Sequence, residues 1–128
     1  MEIGIDCIEI NRFCEIKANE RLLRRIFTKE EVEYCRGKSY PPQHLAARFA
    51  AKEAIIKALS NFSARVPLNG IAISKDTRGV PCAKFLDAGL NRRYKIKISM
   101  SHSDSVAVAC ALVTKVGSNR RRKNKNDV

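Results

Sequence analysis

Residues 46–58, AARFAAKEAIIKA, form a strong helix-favouring run with no ordinary wet face. At 100° per residue, Leu45, Phe49, Ile55, Ile56 and Leu59 share one broad arc, the stripe expected to face a core. The opposite arc should be polar, yet Ala47, Ala51, Ala54 and Ala58 occupy it. Alanine there lets another backbone, or a ligand, come close. Arg48, Lys52, Glu53 and Lys57 are therefore charges on a helix that reads as mostly buried. Glu53 and Lys57 lie one turn apart, flanked by the small Ala46 and Ala50. Buried charge without a partner is expensive, so these groups are expected to meet a metal, a phosphate or each other. The helix predicts a site.

What surrounds the helix is modest. A chain of 128 residues supports one domain with a limited core. No apolar run approaches 18 residues, and Glu2 and Asp6 interrupt the apolar N-terminus, so neither a membrane span nor a signal peptide is expected. The predicted setting is soluble and cytoplasmic. Cys7, Cys14, Cys35, Cys82 and Cys110 are scattered without a CxxC pair. They read as reduced, mostly buried thiols rather than a zinc site or disulfide framework.

The formal net charge is +12. Residues 115–128 contribute +5 of it, which leaves +7 on the body. Such a field favours anionic partners: nucleic acid, a phosphorylated cofactor or an acidic protein. The segment 118–127 has no apolar residue, so the expected division is a domain over 1–114 and a basic, disordered tail over 115–128.

Along the chain, Glu2 to Ile10 reads as a strand, with Ile3, Ile5 and Cys7 on one face and Asp6, Ile8 and Ile10 on the other. A short helix over 11–18 follows. Thr28 and Glu31 form a capping-box pattern that opens a helix ended by Gly37. Pro41 and Pro42 start the long helix, which runs to about Leu59. Strands over 71–74 and 80–85 flank the turn Asp76 to Gly79 as a hairpin. One helical turn over 87–92 precedes a strand with Tyr94, Ile96, Ile98 and Met100 on one face. A polar turn, 101–104, leads to an apolar strand over 105–113. The order predicts an α+β domain: a strand, helices, then an antiparallel meander against one long helix.

Asp6 interrupts an apolar strand, which places it at a strand end or in a cleft. Alone it reads as a carboxylate capping a turn. With Glu53 it becomes a pair of hard oxygen ligands with open positions, a set that suits Mg²⁺ and substrate phosphates. Lys57 can take a phosphate oxygen or pair with Glu53 one turn away. His102 stands where a strand becomes a turn, either as a satisfied turn histidine or as a presented functional group. Arg12 follows the first strand as a surface arginine, and Arg21, Arg24 and Arg25 make one basic face of a helix or loop. Spacing alone points to Mg²⁺-dependent phosphate chemistry.

Three segments in order resemble the holo-acyl-carrier-protein synthases, the small group of 4′-phosphopantetheinyl transferases: Gly4 to Arg12, Arg48 to Ala58 and Ser99 to His102. They match a GxDxxE-type strand, an FAAKEAxxKA helix and an SxSH-type turn. Phe27 to Glu31 and the D-x-x-G-x-P hairpin at Asp76 to Pro81 are also similar. The resemblance spans roughly 3–113 and leaves out the basic tail. It implies the 4′-phosphopantetheinyl transferase fold, an antiparallel sheet packed on one long helix, assembling as a homotrimer with sites at subunit interfaces. The implied reaction moves the 4′-phosphopantetheine group of coenzyme A to a serine of apo-acyl carrier protein and releases adenosine 3′,5′-bisphosphate.

By position, Asp6 and Glu53 resemble the family's Mg²⁺ ligands, and Lys57 would hold the phosphates. Glu53, or a water on the metal that Glu53 orients, would remove the serine proton. Arg48 and His102 resemble coenzyme A or site-organising contacts. Arg12, Arg21 and Arg25 match positions that grip the acidic carrier, in keeping with the +7 body. Two rivals remain. A basic nucleic-acid-binding domain would use the charge, but eight aromatics show no stacking pattern. A Mg²⁺-dependent phosphohydrolase would use the same Asp6, Glu53 and Lys57 without any carrier.

Overall fold

The computed structural model describes residues 1–117; most of the expected tail, from 118 on, lies outside them. Strand β1 (Glu2–Glu9) passes through a 3-10 turn (Ile10–Arg12) into α1 (Phe13–Ile16), α2 (Glu20–Ile26), α3 (Lys29–Arg36) and α4 (Pro41–Ser60). A 3-10 turn (Leu68–Gly70), β2 (Ile71–Lys75), β3 (Pro81–Phe85), α5 (Ala88–Arg93), β4 (Tyr94–His102) and β5 (Val106–Lys115) follow. No helix among the described residues is long and apolar enough to cross a membrane.

The capping box at α3 is complete. Glu31 N–H donates to the Thr28 hydroxyl, and Glu31 Oε1 accepts from Thr28 N–H at 2.7 Å. Pro at the first turn of α4 fits the position where a missing N–H costs nothing. One expectation is narrowed and another needs correction. Arg21, Arg24 and Arg25, read as lying on a helix or loop, belong to helix α2; its signal is Asn19, whose side chain accepts from Leu22 N–H at the N-cap. The late strands do not form one meander. β2 and β3 make their own two-stranded sheet, while β5 sits between β1 and β4 in an antiparallel three-stranded sheet. The first strand in the chain thus pairs with the last, Asp6 opposite Ala109 and Gly4 opposite Ala111. A meander rule counts only neighbours in sequence and cannot see that pairing.

The alanine arc of α4 explains how helix and sheet meet. Ala46, Ala50, Ala51, Ala54 and Ala58 are fully buried, as are Ala107 and Ala111 on β5, and α4 lies mainly against β1 and β5. Small residues on both surfaces allow close approach. At Gly4 the approach is so close that a Cβ would sit 1.9 Å from the Ala54 carbonyl oxygen. The opposite stripe is covered less completely than expected: Leu45, Ile55 and Leu59 are buried, whereas Phe49 and Ile56 are half-buried.

The α4 charges divide. Arg48 and Lys52 are buried, but Glu53 is half-buried and Lys57 exposed, so the expectation of a buried group of four is corrected. Lys52 donates to Glu31 Oε1 at 2.6 Å, to the Ile26 carbonyl at 2.8 Å and to the Leu68 carbonyl at 3.0 Å. Glu31 Oε2 in turn accepts from Ile73 N–H at 2.6 Å. One buried ion pair therefore ties α4 to the end of α2, the start of α3, the 3-10 turn before β2, and β2 itself. The thiols also differ from expectation: Cys35 is buried, Cys14 and Cys110 are half-buried, and Cys7 and Cys82 are exposed.

Candidate active site

Asp6 stands in the middle of β1 rather than at its end, on the face turned toward α4, with its side chain only 18% exposed. Glu53 and Lys57, one turn apart on α4, come to the same place. Lys57 Nζ donates to Asp6 Oδ1 at 3.1 Å and to the Ile5 carbonyl at 3.0 Å. The ion pair considered between Lys57 and Glu53 is thus made with Asp6 instead. Burial pushes the Glu53 carboxyl above its ordinary value, and the negative charge of Asp6 adds to the rise; Lys57 opposes it. Two carboxylates close enough to repel, with one exposed ammonium beside them, leave a site short of positive charge.

A second group lies further toward the start of α4. Arg48 is 2% exposed, and its Nε has no hydrogen-bond partner among the described residues. One guanidinium NH2 reaches the His44 carbonyl at 3.4 Å, and the guanidinium carbon lies 4.2 Å from the centre of the Tyr34 ring. Arg48 also lines a cavity of about 230 Å³ together with Gln43, His44, Lys75, Met100, Ser101 and His102. His102 closes β4, the strand-to-turn position its sequence suggested. Gln43 Nε2 lies 2.8 Å from His102 Nε2.

The cluster is electropositive. Burial lowers His44 below the usual imidazole value, and Arg48, Lys38, Lys75 and His102 push it the same way. Burial alone would raise the Tyr34 phenol, but Lys75 and Arg48 outweigh it and bring it down. A buried guanidinium with a free donor, beside Lys75 and two imidazoles, is a seat for an anion such as a phosphate. Tyr34, Gln43, His44 and Lys75 were not among the residues predicted from sequence. Lys75 had no sequence signal beyond its place before the Asp76 turn; only the fold brings β2 beside α4.

The arginines separate as well. Arg12 ends the 3-10 turn after β1 and is exposed. Arg21 and Arg25, one turn apart on α2, line a shallow surface cleft with Asn19 and Leu22. Arg24 turns away from them into a groove with Phe27, Val32 and Arg36, so the expected single basic face is split.

The arrangement resembles solved proteins as well as sequences. Residues 2–111 match the model of the 4′-phosphopantetheinyl transferase superfamily. The chain belongs to that family. A holo-[acyl-carrier-protein] synthase from Caldicellulosiruptor saccharolyticus is 42% identical over 109 residues, covering 81% of this chain and 88% of the relative. Among solved structures, the holo-(acyl-carrier-protein) synthase of Bacillus anthracis in complex with CoA (3′,5′-ADP) superposes with a TM-score of 0.73 at 30% identity. It covers 91% of this chain and 96% of its own. The Helicobacter pylori holo-[acyl-carrier-protein] synthase in complex with coenzyme A gives 0.73 at 27% identity, covering 88% and 99%.

Proposed function

We propose that this member of the transferase family moves the 4′-phosphopantetheine group from coenzyme A to a serine of an apo-acyl carrier protein. The observation that carries the reading is the convergence of Asp6, Glu53 and Lys57 from two elements far apart in sequence. The two carboxylates suit Mg²⁺, a hard cation that takes one or two protein oxygens and leaves room for substrate phosphates. The raised Glu53 carboxyl beside Asp6 marks a donor set that a divalent cation would relieve. Bound there, Mg²⁺ would neutralise charge on the coenzyme A pyrophosphate.

The Lys57 side chain is 54% exposed, so it can take a phosphate oxygen while it holds Asp6. Arg48, with Lys75 beside it, supplies positive charge and donors for a second phosphate of the same ligand, and His102 stands in the wall of that seat. In the reaction the serine oxygen attacks the phosphorus that bears the pantetheine arm. A new P–O bond forms and the bond to the bridging oxygen breaks, its electron pair leaving with adenosine 3′,5′-bisphosphate. The serine proton passes to Glu53 or to a water that Glu53 orients. Burial and the charge of Asp6 raise the Glu53 carboxyl in the metal-free site, so binding of a divalent cation there should weaken as the medium is acidified.

Arg12, Arg21 and Arg25 present exposed positive charge suited to an acidic carrier. The outer sheet face supports assembly as a homotrimer: Ile3 is 64%, Ile5 61% and Leu112 36% exposed in the single chain. Ile3 and Leu112 are direct cross-strand partners in that patch. Five free thiols are in keeping with a reducing, cytoplasmic setting. The test is release of adenosine 3′,5′-bisphosphate from coenzyme A, with and without apo-carrier and with Mg²⁺ added or chelated. Release that needs both carrier and Mg²⁺ supports the transfer, whereas release without carrier marks a phosphohydrolase.

A further inference from the structure

His102 is an exposed residue at a strand end, yet both of its ring nitrogens are engaged. Nε2 lies 2.8 Å from Gln43 Nε2, and Nδ1 lies 3.3 Å from the Ser103 carbonyl oxygen. A carboxamide nitrogen only donates, and a carbonyl oxygen only accepts. With the Gln43 amide nitrogen toward the ring, the two contacts are satisfied together by the neutral imidazole with its proton on Nδ1 and its lone pair on Nε2; the reversed amide would require Nε2 to donate instead. Which nitrogen of a histidine carries the proton is set by the hydrogen bond at the other.

We propose that Gln43 is a positioning residue, fixing the tautomer and ring orientation of His102 at the wall of the cavity shared with Arg48 and Lys75. The inference rests on the reading of that cavity as the coenzyme A phosphate seat. Gln43 is suited to the task by its place. It sits in the first turn of α4, half-buried, with its backbone fixed by the same helix that carries Arg48. His102 is held across the chain from it, at the end of β4. With Nε2 held by a neutral amide, the ring stands in the wall of the seat without adding a charge to Arg48 and Lys75. An incoming phosphate group then meets a pre-set edge instead of a freely rotating ring, which lowers the ordering cost of binding.

The test compares Gln43→Leu, which keeps bulk and removes the amide, with Gln43→Asn, which keeps the amide on a shorter arm. Long-range ¹H–¹⁵N spectra of the full chain report the His102 tautomer directly, with His102→Ala used for assignment. Steady-state transfer assays report the KM for coenzyme A and kcat. The expected result has three parts. Wild type shows the proton on Nδ1; Gln43→Leu loses that signature and raises the KM for coenzyme A about fivefold with less than a twofold change in kcat; Gln43→Asn recovers part of both. An unchanged ring signature in Gln43→Leu overturns the proposal while leaving the phosphate seat standing. A changed signature with an unaltered KM in both Gln43→Leu and His102→Ala overturns it differently, by removing the seat on which it rests.

Discussion

Replacing Lys52 with methionine should be among the most damaging single changes available in the body of the protein. Lys52 is 0% and Glu31 2% exposed, and Lys52 makes three hydrogen bonds from one ammonium. Burial pulls the ammonium below its ordinary value and Glu31 offsets only part of that, so the pair adds little net stability by itself. Breaking it is another matter. Methionine fills the space but leaves the Glu31 carboxylate without its counter-charge, takes the ammonium from the Ile26 carbonyl, and leaves the Leu68 carbonyl with Ile71 N–H alone. Removing one partner of a buried pair costs about 3–5 kcal/mol, a large part of the roughly 5–15 kcal/mol that holds a domain together. Urea unfolding followed by circular dichroism should show the midpoint fall at constant slope. Adding Glu31→Gln should return only about 1 kcal/mol, because the stranded charge disappears but the carboxamide oxygen can accept from Thr28 N–H or from Ile73 N–H and not from both. A loss below about 1 kcal/mol in Lys52→Met, or a double variant that simply adds the two single losses, would refute the reasoning.

Other expectations follow from single contacts. Gly4→Ala places a methyl group 1.9 Å from the Ala54 carbonyl oxygen, so α4 and β1 must separate; thermal melts should show a loss of about 3 kcal/mol, at or beyond the upper end of ordinary overpacking. Arg12→Glu should raise the KM for carrier roughly tenfold, about 1.4 kcal/mol, and weaken its dependence on ionic strength, with the KM for coenzyme A unchanged. Burial pushes the Cys35 thiol up to about 11, so Cys35 should resist a thiol reagent at pH 8 until the protein unfolds, while exposed Cys82 reacts at once. Cys7 shares the outer sheet face with Ile3 and Ile5, so its labelling should slow as protein concentration rises if that face is covered by further copies.

The parts of the fold that were legible in the sequence are those fixed by neighbouring residues. Thr28 and Glu31 announce the start of α3 because both groups of the capping box lie within four residues. Asp76 announces the β2–β3 turn because its side chain accepts from Val80 and Arg78 N–H inside that turn. The run of alanines in α4 announces a close approach, though not that β1 supplies the backbone that comes close. What escaped the sequence depends on distance along the chain. The pairing of β1 with β5 joins residues about a hundred positions apart. Lys52 and Glu31 are 21 residues apart, and nothing local says that the two charges will neutralise each other instead of meeting a ligand.

The candidate site divides in the same way. Asp6 and Glu53 were legible because a carboxylate in an apolar strand and one on an alanine-rich helix both need an explanation. Lys57 was legible as a cation of the site but not as the partner of Asp6. Lys75 and Tyr34 were not legible, since an exposed-looking strand lysine and a helix tyrosine acquire meaning only when β2 and α3 pack beside Arg48.

The central claim is that Asp6, Glu53 and Lys57 form the centre that transfers phosphopantetheine to a carrier. Its most direct test is the intact mass of an apo-acyl carrier protein after incubation with coenzyme A, Mg²⁺ and either the wild-type chain or Glu53→Gln. That substitution removes one negative charge at nearly constant shape and should leave the fold in place. The account predicts a carrier heavier by one phosphopantetheine with wild type, and an unmodified carrier with the folded variant or with Mg²⁺ chelated. Full modification by Glu53→Gln, or none by the folded wild type, would contradict it.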